Sequence, residues 1–295
     1  MRLAGYCIGI CLAIATGCAD SKPSTPAIWK VSDADNSLYL LGSFHALRPG
    51  DYPLSPAVDA AYADAEMLVF ELPPAQMLSP DLALKLQQAG TLPAGIRLQS
   101  RLPAALWKDL AAWLKANPAI PPALFEQAKP WYAALLIGQV EMQKHGLTPE
   151  QGLDIHFMER AGKDRKPVAG LEQASEQIAL FDGMDEAVQL QLLKESLQTS
   201  AGADRELRQL HDAWKAGDVD SLEKLTVTDF QARYPELNQR MNIDRNRAWL
   251  PQLAAMLDAE ASDDALVVVG TLHLLGPDGV VQDLRRKGYT VERIK

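Results

Sequence analysis

Two short stretches near opposite ends of the chain carry the same arrangement of reactive side chains. Leu38-Tyr39-Leu40-Leu41 runs into Gly42-Ser43-Phe44-His45, and Leu266-Val267-Val268-Val269 runs into Gly270-Thr271-Leu272-His273. Each is an apolar, strand-like run followed by a glycine, a hydroxyl residue, an apolar residue and a histidine. Strand ends that run into loops are where an α/β protein presents polar groups to a shared cleft. An imidazole placed there can bind a metal ion or move a proton near neutral pH. With 19 glycines and 5 histidines among 295 residues, a lone Gly-x-x-His carries little information. Two of them, each behind an apolar run and each with Ser or Thr beside the glycine, read as halves of one site.

Two more strand-like runs end on carboxylates. Met67-Leu68-Val69-Phe70 ends on Glu71, and Lys166-Pro167-Val168-Ala169-Gly170-Leu171 ends on Glu172. A charge directly after Leu68-Val69-Phe70 needs a reason to sit there. For Glu172 two roles stay open, a place in the site or a cap on the helix that begins near Ala174. If the four strands are neighbours with aligned ends, two imidazoles and one or two carboxylates converge. Two histidines and one carboxylate suffice to hold a divalent metal with a position left for water. Such a metal brings the bound water's pKa to ~7, and the second carboxylate is then a ligand or the general base. Alternatively, His45 or His273 serves as the base of a metal-free esterase. His-Glu-x-x-His and Gly-x-Ser-x-Gly are both absent, which excludes an ordinary zincin and argues against Ser43 or Thr271 as nucleophile. His145, before Gly146, reads as a helix-end cation; His211 reads as a helix-surface residue, and His156, after Asp154, reads as one too, with a third-histidine role in the site as its alternative.

Composition narrows the chemistry. All three cysteines, Cys7, Cys11 and Cys18, lie in the first 18 residues, so the remainder has no disulfide, thiol nucleophile or thiolate ligand. A metal site must use His, Asp or Glu, which suits zinc, manganese, iron or cobalt. Met1-Arg2, the apolar Leu3 to Ala15 and Ala15-Thr16-Gly17-Cys18 resemble a bacterial lipoprotein signal, with residues 1–18 as signal peptide and Cys18 as the lipidated residue. Ala19 after that cysteine implies the outer membrane, facing the periplasm of the cell envelope. Residues 19–26 then read as a polar, proline-bearing tether. A net charge of −9 with no basic run argues against nucleic acid, and no later stretch is apolar enough to cross a bilayer.

These side chains need elements to position them. Ala27 to Val31 and Ser37 to Leu41 flank Asp33-Ala34-Asp35-Asn36, a strand-turn-strand signal. Ser55-Pro56 opens a helix, and Met67 to Phe70 follows as a strand, which suggests a βαβ crossover and a parallel pair. Ser79-Pro80 and Leu102-Pro103 start helices, Gly90 stops one, and Trp107, Leu110, Trp113 and Leu114 form an apolar stripe destined for the core. Pro251 is expected to kink or restart the last long helix. Gly276-Pro277-Asp278-Gly279 leads to a helix ending at Lys287-Gly288, and Tyr289 to Ile294 closes the sheet. The predicted architecture is α/β, one domain over residues 27–295: a central mixed, partly parallel sheet with flanking helices and a large helical insertion, about 79–161 and 173–260.

At this point the motifs, taken in order, carry a resemblance. Ile28-Trp29-Lys30-Val31 with Leu38 to His45, Phe70-Glu71-Leu72, Gly152-Leu153-Asp154, Val168 to Glu172 followed by Gln177, Asp244-Arg245-Asn246-Arg247 and Gly270-Thr271-Leu272-His273 resemble the TraB/GumN family, which includes the Tiki-type metalloproteases. The resemblance implies a fold similar to the erythromycin esterases and the haem-related ChaN protein. It implies His45, Glu71 and His273 as metal ligands with Arg245 and Asn246 beside them; joined to Glu172 from the strand-end reading, the expected catalytic set is Glu71, Glu172, Arg245 and Asn246. Taken alone, Arg245 reads as a helix-surface ion pair; the resemblance moves it into the site, to steady an oxyanion or hold a substrate carboxylate, with Asn246 donating a hydrogen bond nearby. The implied activity is that of a lipid-anchored, metal-dependent hydrolase of peptide or small-molecule ester bonds. Two alternatives remain beside it: a metal-free His/Glu esterase, and a non-catalytic protein that sequesters a peptide or small ligand in the same cleft.

Overall fold

β1 (Ile28–Ser32) and β2 (Ser37–Ser43) form an antiparallel hairpin, turned where the Asp33 carboxylate accepts from the Asn36 N–H. The computed structural model describes residues 22–259 and 263–295. The expected signal at residues 1–18, Cys18 included, and the start of the expected tether lie outside them. β2 then pairs in parallel with β5 (Ala265–Gly270), β5 with β3 (Met67–Phe70) and β3 with β4 (Val168–Gly170). β6 (Thr290–Ile294) closes the far side against β1, so the mixed sheet runs β4-β3-β5-β2-β1-β6. β5 is buried along its whole length, which explains its unbroken apolar sequence: a parallel strand covered on both faces has no polar side to show. Register fixes the functional consequence. Ser43 lies opposite Gly270, Phe70 opposite Val268 and Phe70 opposite Gly170, so the C-terminal ends of four adjacent parallel strands emerge along one rim. The expected α/β fold with a mixed, partly parallel sheet is the one observed.

The helical segments between the strands build a second apolar cluster, in which Leu110 and Trp113 of helix Ala104–Ala116 meet Ile137 and Leu193. Two local expectations are corrected. Helix Asp244–Leu257 continues through the exposed Pro251 without restarting, although a proline there removes one backbone hydrogen bond. His211 is not a surface residue. It is buried beside Trp214 on the inner face of helix Glu186–Ala216, with Nε2 2.8 Å from Asp51 Oδ2. The charged neighbours Arg208 and Asp212 hid this, since the face of His211 is shared by the buried Trp214 three residues on. Asp51 also accepts from the Arg48 N–H and from Lys215, so the loop after His45 is clamped to that helix. Ser24, assigned above to the tether, is buried: its N–H donates to the Pro53 carbonyl and its hydroxyl to that of Asp51. The Thr25 N–H donates to the Lys215 carbonyl, so packing extends into the stretch that composition marks as tether.

Candidate active site

Each of the four parallel strands delivers one side chain to the rim, in the spatial order Glu172, Glu71, His273, His45. The two Gly-x-x-His turns are tied together where the Thr271 hydroxyl donates to the Ser43 carbonyl at 2.9 Å. A Cβ on Gly42 would lie 2.8 Å from that hydroxyl oxygen, so the first motif needs its glycine. A Cβ on Gly270 would lie 3.0 Å from His45 Nε2 and 3.2 Å from Glu71 Oε1, so the second glycine keeps the centre of the site open.

His45 is positioned by a residue 109 places away. Its Nδ1 lies 2.8 Å from Asp154 Oδ2, which also accepts from the Ser43 hydroxyl at 2.5 Å. Asp154 occupies the first turn of helix Leu153–Asp164, where the helix N-terminus favours negative charge. That helix starts directly on the His45 backbone: the Leu153 N–H donates to the Phe44 carbonyl, and a Cβ on Gly152 would lie 2.3 Å from the His45 carbonyl oxygen. The Asp154 carboxylate therefore holds Nδ1–H and turns Nε2 towards the site. It also raises the His45 pKa, to about 9. The His45 side chain is 56% exposed, against 5% for His273 and 9% for Glu71, so His45 is the open face of the cluster.

His273, in the short helix Thr271–Leu274, is fixed differently. Both hydrogens of Asn246 Nδ2 are used, on Asn242 Oδ1 and the Asp278 carbonyl, so Asn246 Oδ1 must accept from His273 Nδ1–H at 2.7 Å. The Nε2 lone pair then accepts from Arg245 Nη1 at 2.9 Å. Burial pushes the His273 pKa down to about 3, and the neighbouring guanidinium acts in the same direction, so this imidazole is neutral. Glu71 is the reverse case. Burial opposes its charge, but Arg245, the imidazoles and the Gly270 N–H at 2.8 Å outweigh that and hold its carboxyl well below the usual range.

Arg245 and Asn246 follow a π turn, Gln239–Ile243, and open helix Asp244–Leu257. The guanidinium uses all five of its donors: on Glu172 Oε2 through Nε, on His273 and the Met241 carbonyl through Nη1, and on Glu71 and Glu172 through Nη2 at 2.6 and 2.5 Å. Trp249 stacks over it, 4.8 Å from the ring centroid, and donates its indole N–H to Glu172. Gln177 donates to Glu172 as well. Glu172 thus faces the cluster, and the cap of helix Ala174–Asp182 is supplied by Gln173 with Glu176. Two of the roles inferred above need revision. Asn246 is completely buried and orients His273, so it offers no donor to a substrate. Arg245 has no donor left for an oxyanion unless it gives up one of these partners.

Sequence reading brought His45, Glu71, Glu172, Arg245, Asn246 and His273 to one place, and the structure puts all six there. It left Asp154, Gln177 and Trp249 without roles. Asp154 stands in the Gly152-Leu153-Asp154 motif quoted above, and an acid just after a helix-opening glycine was the available signal. His156, expected at the surface, is half-buried and stacks on Tyr52 with ring centroids 4.7 Å apart.

The donor set can be tested against a metal. Both imidazoles have Nδ1 held by an oxygen and Nε2 turned inward, the usual outer-shell arrangement for metal-binding histidines. Glu71 Oε1 lies 3.8 Å from His45 Nε2 and 3.9 Å from His273 Nε2. Ligands around a tetrahedral zinc ion sit about 3.4 Å apart, so a small closure would be needed. Arg245 must also release His273 Nε2. Among the described residues, no group of three or more His, Cys, Asp or Glu could hold an ion as it stands. The chemistry of the donors fits a divalent metal, and the guanidinium competes for one of them.

Replacing Asp154 by asparagine tests how His45 is held. A folded pKa raised above the ordinary value of about 6.5 gives a stabilisation that is full below that value and is lost as pH rises through about 9. In chelator-treated protein, D154N is expected to flatten stability between those limits and to bring the His45 NMR titration down towards ~6.5. An unmoved titration would mean that Asp154 does not set the imidazole's charge.

The family described as TraB/PrgY/gumN matches residues 27–293 of the chain. The uncharacterized protein YbaP of Escherichia coli (strain K12) is 28% identical over 88% of this chain and 92% of its own length, and YbaP of Shigella flexneri gives the same figures. Metalloprotease TIKI1 of Danio rerio is 22% identical over 94% of this chain and 65% of its own length. No solved structure matches the chain.

Proposed function

The chain belongs to the TraB/PrgY/gumN family, and on that premise we propose that it is a hydrolase of peptide or small-molecule ester bonds, working at the four-strand rim. The observation that carries this reading is the convergence of His45 Nε2, His273 Nε2 and Glu71 Oε1, each backed by its own partner. The relation to a protein named as a metalloprotease supports metal dependence. His45, His273 and Glu71 would hold the ion, drawn from manganese, cobalt, zinc or iron. When bound, it would supply hydroxide near neutral pH and polarise the scissile carbonyl. Glu172, with Gln177 and Trp249, holds Arg245 over the site, and the guanidinium becomes available to a substrate carbonyl or carboxylate once it leaves His273.

A second reading is favoured by one specific observation, the Arg245 hydrogen bond that occupies His273 Nε2. In that reading no metal enters. His45, supported by Asp154 and open to solvent, acts as general base in its deprotonated form, so this activity rises as pH approaches about 9.

Metal analysis of protein purified without chelator, paired with hydrolysis of a peptide library before and after exhaustive chelation, separates the two. About one ion per chain, lost in His273→Ala, with activity that disappears on chelation, supports the metal reading. Activity that survives chelation and falls about 10²–10⁴-fold in His45→Gln supports the metal-free one. An absence of turnover under both conditions would remove the hydrolase reading. The remaining assignments are a signal at residues 1–18, a lipid on Cys18 and a periplasm-facing outer-membrane location. They would be tested by membrane fractionation, with Cys18→Ala expected in the soluble fraction.

A further inference from the structure

β4 is the edge of the sheet at the site's end, and it carries unused hydrogen-bonding capacity. The Leu68 N–H donates to the Pro167 carbonyl and the Leu171 N–H to that of Phe70, a parallel ladder in which Ala169 faces β3. Val168 and Gly170 therefore direct their N–H and carbonyl groups outward, and among the described residues nothing pairs with them. Sheet edges of this kind are normally covered or blunted with charge. Here the edge instead opens into an apolar groove of about 460 Å³, lined by Pro74, Ala75, Leu78, Met158, Ala161 and Val168. Leu78 and Val168 are 52% and 43% exposed, and they are two of the few large apolar side chains displayed on the described surface. At its entrance stands Arg165, exposed and with no ion-pair partner among the described residues.

We infer that this edge docks an extended polypeptide segment by strand addition, with apolar side chains in the groove and an acidic group beside Arg165. Three observations select that occupant. Alternating free N–H and carbonyl groups match only another extended backbone. The groove accepts the side chains that such a strand turns towards it. The edge is also continuous with the site: two residues beyond Gly170 the chain reaches Glu172, which holds Arg245. A strand laid along β4 is thereby led to the catalytic rim. That last point rests on the hydrolase reading, whereas the docking itself does not.

The experiment is fluorescence anisotropy on the full chain, using a labelled ten-residue peptide of alternating valine and threonine with one terminal aspartate. A copy N-methylated at alternate residues serves as control. Val168→Pro removes an outward N–H without breaking a bond to β3, and Leu78→Asp spoils the groove without touching the strand. Saturable binding that weakens at least tenfold with the N-methylated copy and with either variant supports the inference, provided the variant keeps its thermal transition. Should Val168→Pro fail to fold, Leu78→Asp and the N-methylated peptide decide the matter. Binding that is indifferent to all three, or no binding at all, overturns it. So does a self-association, seen by sedimentation, that only Val168→Pro abolishes, because the edge would then serve a second copy of this chain. Turnover of a small ester is expected to be unchanged in both variants. Docking without any turnover would retire the hydrolase reading alone, and peptide turnover insensitive to both variants would retire the docking alone.

Discussion

Arg245→Met is expected to destabilise the protein by about 3–5 kcal/mol at pH 7, the usual cost of breaking a buried ion pair by removing one partner. Glu71 and Glu172 are 9% and 10% exposed, and Nη2 of Arg245 bonds to both. Without the guanidinium, two buried carboxylates face each other with no cation between them, and His273 Nε2 loses its donor. Methionine fills the volume but supplies no hydrogen bond. The pH dependence is the sharper test, because its sign reverses. In the wild type the Glu71 carboxyl is depressed, so its contribution is present above the unfolded value, about 4.3, and is lost only as pH falls through the much lower folded value. In the variant, burial and the nearby Glu172 charge push the Glu71 carboxyl up. Protonation then relieves the folded state, and stability rises as pH falls from 7 towards 5. Urea denaturation at several pH values would show the gap between the two proteins narrowing in acid. A gap below about 1 kcal/mol, typical of surface pairs, or one constant with pH, would contradict the buried-pair account.

The same residue shows what the sequence could and could not reveal. The strands were legible because their signal is local: Leu266 to Val269 is apolar throughout since β5 is buried on both faces. The site's outline was legible for the same reason, as all four strand ends carry their polar residue within four positions of the apolar run. Partnership was not legible. Asp154 and His45 meet across a long separation, and nothing near Asp154 announces an imidazole. His211 looked exposed because Arg208 and Asp212 flank it, yet it pairs with Asp51 from a distant loop. Arg245 lies in a charged tetrapeptide that suits a helix surface, and only its five simultaneous bonds reveal it as the hub of the cluster. Glu172 could not be told from a helix cap until Gln173 and Glu176 were seen in that role.

His45→Ala is expected to abolish hydrolysis, by about 10²–10⁴-fold or more, while leaving stability within about 1 kcal/mol of wild type once pH exceeds about 9, where the pair with Asp154 no longer contributes. Both readings of the chemistry use His45, as a metal ligand or as the base, so the loss of activity does not depend on which holds. The small structural cost follows from its position. The ring is more than half exposed, and Asp154 keeps the Ser43 hydroxyl as a partner when the imidazole is gone. His273→Ala is the necessary contrast. That ring is buried against Trp249, and its removal leaves Asn246 Oδ1 and Arg245 Nη1 without a shared partner. It should therefore cost about 1–3 kcal/mol of stability together with activity. Measured side by side, turnover should fall in both variants, and above about pH 9 the urea midpoint should fall only in the second. If both midpoints move equally, the exposed histidine carries structural weight that its contacts do not explain. If turnover persists in His45→Ala, the rim is not where the reaction occurs.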